Sequence, residues 1–277
     1  MDDLAPLSGR RSSPSDATVN GARNIIVAAA VNDRAILENC LRRSPDIAQG
    51  VLPLTVLEGY SSASKAYNEV LRKAPAGTLI IFAHQDVYLP ADYGARLRHR
   101  IDELERTDPD WAVLGLSGRR ADGKFAGKVW STAAKMVQQS DFPFPVRVVT
   151  LDELLLVVKA GTGLLFDEQL PGFHMYAADI VQIGLSLGRN SYVIDAPAVH
   201  HDKPVIHLDK TYRRSYRYLR KKWWDRLPIP NLIAPLTRSR FTLYEYDLRF
   251  RYLQRGARRR TVPTANPSEI ARTLGWE

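Results

Sequence analysis

Short apolar runs alternating with amphipathic stretches set the rhythm of the first half of the chain. Ile25 to Val31, Val51 to Leu57 and Thr78 to Phe82 are strand-length and apolar at nearly every position. Strands covered on both faces of a sheet read this way. Between the second and third runs, Ala63, Ala66, Tyr67, Val70 and Leu71 fall at i, i+3, i+4, i+7 and i+8, one face of a helix. Ser61 reads as its N-cap. Asp33 to Leu41 predicts a short helix, Ala91 to Arg106 a more polar one, and Trp111 to Leu116 a fourth strand. This β-α-β-α-β-α-β order predicts an α/β fold, Rossmann-like, with a mostly parallel central sheet and right-handed crossovers.

The pattern then loosens. Asp122-Gly123 has turn chemistry ahead of a strand over Phe125 to Val129. Val146 to Thr150, Leu154 to Val158 and Gly163 to Phe166 predict short strands of a small mixed or antiparallel region. Ala177 to Leu187 reads as a helix and Tyr192 to Ile194 as a last strand. Residues 1–22 carry no apolar period and read as a disordered tail. Beyond His207, Tyr212, Tyr216, Tyr218, Trp223 and Trp224 are interleaved with arginines and lysines, and Phe241 to Leu253 predicts a further helix. The expected organisation is a tail (1–22), an α/β domain (23–207) and a basic, aromatic, mainly helical C-terminal extension (208–277).

Composition changes this picture in three places. The single cysteine, Cys40, excludes an intramolecular disulfide framework and suits a reducing compartment. No apolar run is long enough to cross a bilayer, and the acidic start Met1-Asp2-Asp3 does not suit a secretory signal, so a cytoplasmic location is expected. The net charge of +9 is unevenly placed. Residues 210–260 hold 16 Lys/Arg against Asp225, Glu245 and Asp247, a charge of +13, which leaves 9 − 13 = −4 for the rest. An anionic partner for that segment follows, either nucleic acid or, the better fit, an anionic membrane surface on its inner face. A homo-oligomer interface, or a solvated helical pair packed on the α/β body, is the plainer alternative.

Chemistry-bearing residues gather where the apolar runs end. The first strand is not followed by GxGxxG or GxxxxGK[ST], which excludes dinucleotide-binding Rossmann and P-loop readings. It ends instead in Asn32-Asp33, the second strand in Glu58 and the third in His84-Gln85-Asp86. Ligands of open α/β sheets lie beyond such carboxyl ends, where a carboxylate can hold a hard divalent cation. Asp179, near a helix start, suits either dipole compensation or general-base work in a cleft. In His200-His201-Asp202, adjacent histidines point apart on an extended chain, so one of them at most ligates a given metal.

Glu58-Gly59-Tyr60-Ser61-Ser62-Ala63 with Ala66-Tyr67-Asn68, then Phe82 to Val87, Leu114 to Gly118, Val149 to Glu153, Phe173 to Asp179 and Val193 to His201, together resemble family-2-like glycosyltransferases of the GT-A fold. The nearer likeness is to the domain typified by the streptomycin-biosynthesis StrF protein. The resemblance implies inverting transfer of a sugar from a nucleotide-diphosphate sugar donor to a hydroxyl on a carbohydrate, lipid-linked or small-molecule acceptor. It implies a nucleotide-sugar site at Asn32, Asp33, Glu58, Ser61, Asn68, His84 and Gln85, and Mn²⁺ or Mg²⁺ on Asp86 and one of His200 and His201. Asp179 matches the general base. His84 stands where such enzymes carry the first Asp of an Asp-X-Asp motif, and that departure supports a second reading, a catalytically inactive sugar-nucleotide or glycan-binding scaffold.

Overall fold

The computed structural model describes residues 23–253 and 266–277. The expected tail over 1–22 and the end of the basic segment, 254–260, lie outside the described residues. Two sheets organise the chain. The larger has seven strands in the order β2 (Leu54–Leu57), β1 (Ile25–Ala30), β3 (Leu79–Ala83), β11 (Leu155–Lys159), β5 (Leu114–Gly115), β12 (Ser191–Val193) and β9 (Val146–Val148). β1 is parallel to both β2 and β3, with Ala30 opposite Leu57 and Ala28 opposite Phe82, so these three strands end on one edge. β11 enters antiparallel between β3 and β5, and β9 is antiparallel to β12. The sheet is therefore mixed, with β11 and β9 running against the other strands.

Apolar alternation explains why the central strands are continuous hydrophobic runs. Successive side chains leave opposite faces. On β3, Leu79, Ile81 and Ala83 enter one core, and Ile80 and Phe82 enter the other. The first core is closed by α1 (Arg34–Asn39), the short α2 (Pro45–Ala48) and α4 (Tyr93–Glu105), whose Tyr93, Leu97, Ile101 and Leu104 form one buried stripe. The second is closed by α3 (Ala63–Lys73), α5 (Tyr176–Ser186) and α6 (Lys210–Lys222). The α3 stripe is the predicted one, but its cap is Ser62, whose side chain accepts from Lys65 N, and Ser61 stays exposed.

The smaller sheet runs β10 (Thr150–Leu151), β6 (Ser117–Arg119), β7 (Phe125–Ser131), β13 (Val199–His200) and β4 (Val87–Tyr88), with β8 (Met136–Gln139) paired to β7. The predicted Asp122-Gly123 turn joins β6 and β7, with Gly123 at φ 79°. The predicted strand over Gly163 to Phe166 is absent. That segment is irregular because Asn68 captures it, donating to Phe166 O and accepting from Phe166 N, both at 2.8 Å.

The C-terminal part is built into the body. Tyr212, Tyr216 and Leu219 of α6, with Leu227, Ile229, Leu236 and Leu243, join the core under α3 and α5. α7 (Thr242–Leu253) follows, and α8 (Pro267–Thr273) packs on β13 with Ala271 buried beside Tyr88 and Val199. No helix among the described residues is long and apolar enough to cross a membrane.

Candidate functional site

Three strands deliver three donor atoms to one point. His84 follows β3, and its backbone N–H is held by Leu154 O at 2.9 Å. Asp86 sits two residues on, ahead of β4. His200 is on β13, opposite Val87 of β4 and Ser131 of β7. Asp86 Oδ1 lies 3.5 Å from His200 Nε2 and 3.9 Å from His84 Nδ1. One donor atom from each residue falls within 4.8 Å of the others. His201 faces away, its N–H bonded to Asp86 O at 2.8 Å and its Nδ1 3.5 Å from Thr132 Oγ1. The strand's alternation thus turns His200, and not His201, toward the Asp86 carboxylate.

The charges of this cluster are interlocked. Burial pushes the Asp86 carboxyl up, but the adjacent His200 and then His84 outweigh it and bring it down to about 2. Burial pushes His200 down, but Asp86, with Asp152 and Asp202, raises it to about 9. Burial holds His84 below its usual value despite Asp86. At neutral pH the cluster is a neutral His84 beside a His200 imidazolium–Asp86 carboxylate pair.

Tyr176 orients His84. The tyrosine hydroxyl donates to Glu153 O at 3.0 Å and lies 3.0 Å from His84 Nε2. With its proton committed to Glu153, the tyrosine oxygen accepts from Nε2–H, which leaves the lone pair on Nδ1, toward Asp86. The ring of Tyr176 is set by Tyr67, edge-on at 5.5 Å, which itself stacks on Phe82 at 4.4 Å.

Asp86 Oδ1 is buried, and its nearest donor, the His200 imidazole at 3.5 Å, does not reach hydrogen-bond geometry. A buried carboxylate oxygen without a well-placed donor is costly, and a cation between it and the two imidazoles would satisfy it. The residues therefore fit a divalent metal. Two imidazoles with one carboxylate suit Mn²⁺ or another transition ion better than Mg²⁺, which prefers an all-oxygen shell.

A cavity of about 880 Å³ opens beside the cluster, lined by His84 and His200 together with Arg119, Asp152, Glu153, His174 and Lys203, and on its apolar side by Phe125, Val129, Leu151, Val205, Ile206 and Ile233. Glu153 is a residue to which the sequence reading assigned no role. The backbone N–H groups of Met175 and Tyr176, at the start of α5, draw its carboxyl down. Burial and then the charge of Asp152 nevertheless push it up to about 8. The signal available in sequence was only its place in Val149 to Glu153.

Other candidates fall elsewhere. Asp179 does not face the cavity: its Oδ1 accepts from Trp223 Nε1 at 2.7 Å and its Oδ2 from Lys222 Nζ at 2.9 Å, and its side chain is 1% exposed. α6 covers it, so the general-base role that the resemblance implies for Asp179 has no open cleft beside it. Asn68 is committed to Phe166 and Glu168, so its amide is not turned to a ligand. Gln85 joins two strand tips, accepting from Asn32 N at 3.0 Å and Asp33 N at 3.1 Å and donating to Asn32 Oδ1 at 2.7 Å. Asp33 caps α1 through Ile36 N. Glu58 holds Arg34 with two hydrogen bonds, 2.8 and 2.6 Å, in the open. Asn32, Asp33, Glu58 and Ser61 remain exposed near one sheet edge.

No family model matches the chain. An alignment 160 positions long, covering 53% of the chain, is 29% identical to a Fuscovulum blasticum protein described as ATP synthase subunits region ORF 6. The match covers 60% of that relative, less than two thirds of its length. Among solved structures, the chain is similar to GalNAc-T7 with UDP, GalNAc and Mn²⁺, at TM-score 0.43 and 11% identity over 76% of this chain and 52% of that one. It is similar to S. aureus TarS 1-349 at TM-score 0.43 and 15% identity, over 72% and 65%. A197 from STIV aligns at TM-score 0.40 and 10% identity, over 65% and 86%. At these scores the likeness is one of outline, and what the chain itself offers is an α/β body with a mixed sheet and a His–Asp–His group at its strand tips.

Proposed function

We propose that the protein is a metal-assisted glycosyltransferase of GT-A type, moving a sugar from a nucleotide-diphosphate sugar to a hydroxyl acceptor with inversion. One observation carries this reading: the donor atoms of His84, Asp86 and His200 converge at a buried carboxylate oxygen with no well-formed hydrogen bond, beside a cavity that also contains a second carboxyl, Glu153. A divalent cation held by His84, Asp86 and His200 would offset charge growing on the diphosphate leaving group. Tyr176 keeps the His84 lone pair on the ligating side. The exposed rim of Asn32, Asp33, Glu58 and Ser61 receives the base and ribose, with Gln85 bracing it against the metal corner.

Glu153 takes the role that Asp179 cannot reach. As the acceptor oxygen attacks the anomeric carbon, its proton passes to the Glu153 carboxylate. The bond from that carbon to the diphosphate oxygen breaks and its electron pair leaves with the nucleotide. A base whose pKa lies near working pH is the efficient choice.

The withdrawal of Asp179 favours the scaffold reading, in which a sugar nucleotide is bound without turnover. An assay of transfer and hydrolysis across nucleotide-diphosphate sugars, with and without Mn²⁺, separates the two. Metal-dependent turnover abolished by Asp86→Ala supports the enzyme. Tight, metal-dependent binding with no turnover of any donor supports the scaffold.

A further inference from the structure

α7 carries two apolar faces, and only one has a partner within the described chain. Its inner face holds Leu243 in the core, with Tyr246 and Phe250 packed against it. Asp247 fastens this side, accepting from Leu208 N at 2.8 Å and pairing with Arg213 at 3.0 Å and Arg251 at 2.9 Å. The outer face presents Tyr244 and Leu248, with Phe241 at the residue just before the helix, and these are 63%, 48% and 75% exposed. At spacing i, i+3 and i+7 these three lie within about 60° of one another around the helix. Arg240 and Arg249 are exposed at the margins, and Glu245 is the acid beside the stripe. Just ahead of α7, Arg238 lies 5.9 Å over the ring of the exposed Trp224.

We propose that this outer face of α7 docks on an anionic lipid surface. An apolar stripe of large side chains edged by arginines is what an interfacial helix presents, with rings at headgroup depth and guanidiniums on the phosphates. Charge chooses among occupants. A second copy of the chain would set the face against itself about a two-fold axis, bringing Arg240 and Arg249 toward their own duplicates. Anionic headgroups take the same residues without repulsion. Nucleic acid is the poorer fit, because the aromatics interleaved with the α6 basic run are largely spent on the core, Tyr212 and Tyr216 being buried. The position suits a lipid-borne substrate. Asp247 holds Leu208, and Leu208 lines the cavity, so α7 stands one hydrogen bond from the cavity wall. The proposal does not depend on the catalytic reading.

The test is flotation of the full chain with vesicles of phosphatidylcholine, with and without phosphatidylglycerol. Two variants serve as controls: Phe241→Ser/Tyr244→Ser/Leu248→Ser, and Arg240→Glu/Arg249→Glu. Expected is flotation only with phosphatidylglycerol, weakened by salt and reduced roughly tenfold or more in each variant, with unchanged unfolding temperature. If the serine variant unfolds, the arginine variant and the salt dependence still decide. Equal flotation of wild type and the arginine variant overturns the proposal. So does sedimentation showing that the serine variant turns a dimer into a monomer while flotation is unchanged. Binding of single-stranded RNA that both variants abolish, without vesicle binding, also overturns it.

Discussion

The Tyr176 hydroxyl lies 3.0 Å from His84 Nε2, tying the first residue of α5 to the histidine that follows β3. The pair links two elements 92 positions apart in the chain and would decide which His84 nitrogen is left for a metal. Tyr176→Phe keeps the ring among Tyr67 and Phe166 but removes the acceptor for Nε2–H. Mn²⁺ affinity measured by calorimetry should fall about 10- to 100-fold, with little change in unfolding temperature. An unaltered affinity would remove Tyr176 from the metal site.

Metal binding at this cluster must displace a proton. His200 is raised from 6.5 to about 9, so below that pH the cation competes with the imidazolium proton. Apparent Mn²⁺ affinity should rise about tenfold per pH unit up to the His200 pKa. Calorimetry in buffers of different ionisation enthalpy should detect the released proton.

The same pair makes the metal-free protein's stability depend on pH. A folded pKa above the unfolded one contributes stability that is complete below the unfolded value. For His200 this contribution is lost as pH rises from 6.5 to about 9. Asp86 is depressed from 3.8 to about 2, so its contribution is present above 3.8 and lost as pH falls toward 2. Thermal unfolding of the metal-free wild type should weaken between pH 6.5 and 9, and His200→Asn should lack that slope.

Glu153 and Asp179 separate chemistry from architecture. Glu153→Gln keeps the size and polarity of the side chain but cannot take a proton. Turnover should fall about 10²–10⁴-fold, with donor KM little changed. In the wild type, kcat should climb with pH and level off above about 8, where the carboxyl is ionised. A flat profile in that range would exclude Glu153 as the base.

Asp179→Ala leaves Trp223 Nε1 without its acceptor and Lys222 with Asp167 alone. Losing a buried acceptor costs about 1–3 kcal/mol, visible as a lower denaturant midpoint. Turnover per folded molecule should be retained, whereas a catalytic loss at unchanged stability would restore Asp179 to the mechanism.

Much of the frame was legible in the residue pattern. A run such as Thr78 to Phe82 must be covered on both faces, and its end in His84-Gln85-Asp86 must lie at the sheet edge. The α3 stripe from Ala63 to Leu71 is set by helical period alone, and so is the existence of α7. These are local properties: the side-chain period of a strand or helix is fixed by its own backbone.

What period could not decide was where each element's second neighbour lies. His200 and His201 are equivalent in sequence, and only the pairing of β13 between β4 and β7 turns His200 toward Asp86. The antiparallel entry of β11 follows from pairing, and the irregular path at Phe166 from a hydrogen bond reaching across from Asn68. Residue pattern pointed to Asp179 and gave Glu153 no role, but α6 folded over the first while the second came to line the cavity. Sequence by itself determined the elements and the chemistry available at their ends. Tertiary structure alone decided which of those groups meet, because contact between residues far apart in the chain depends on packing and register, which no local period encodes.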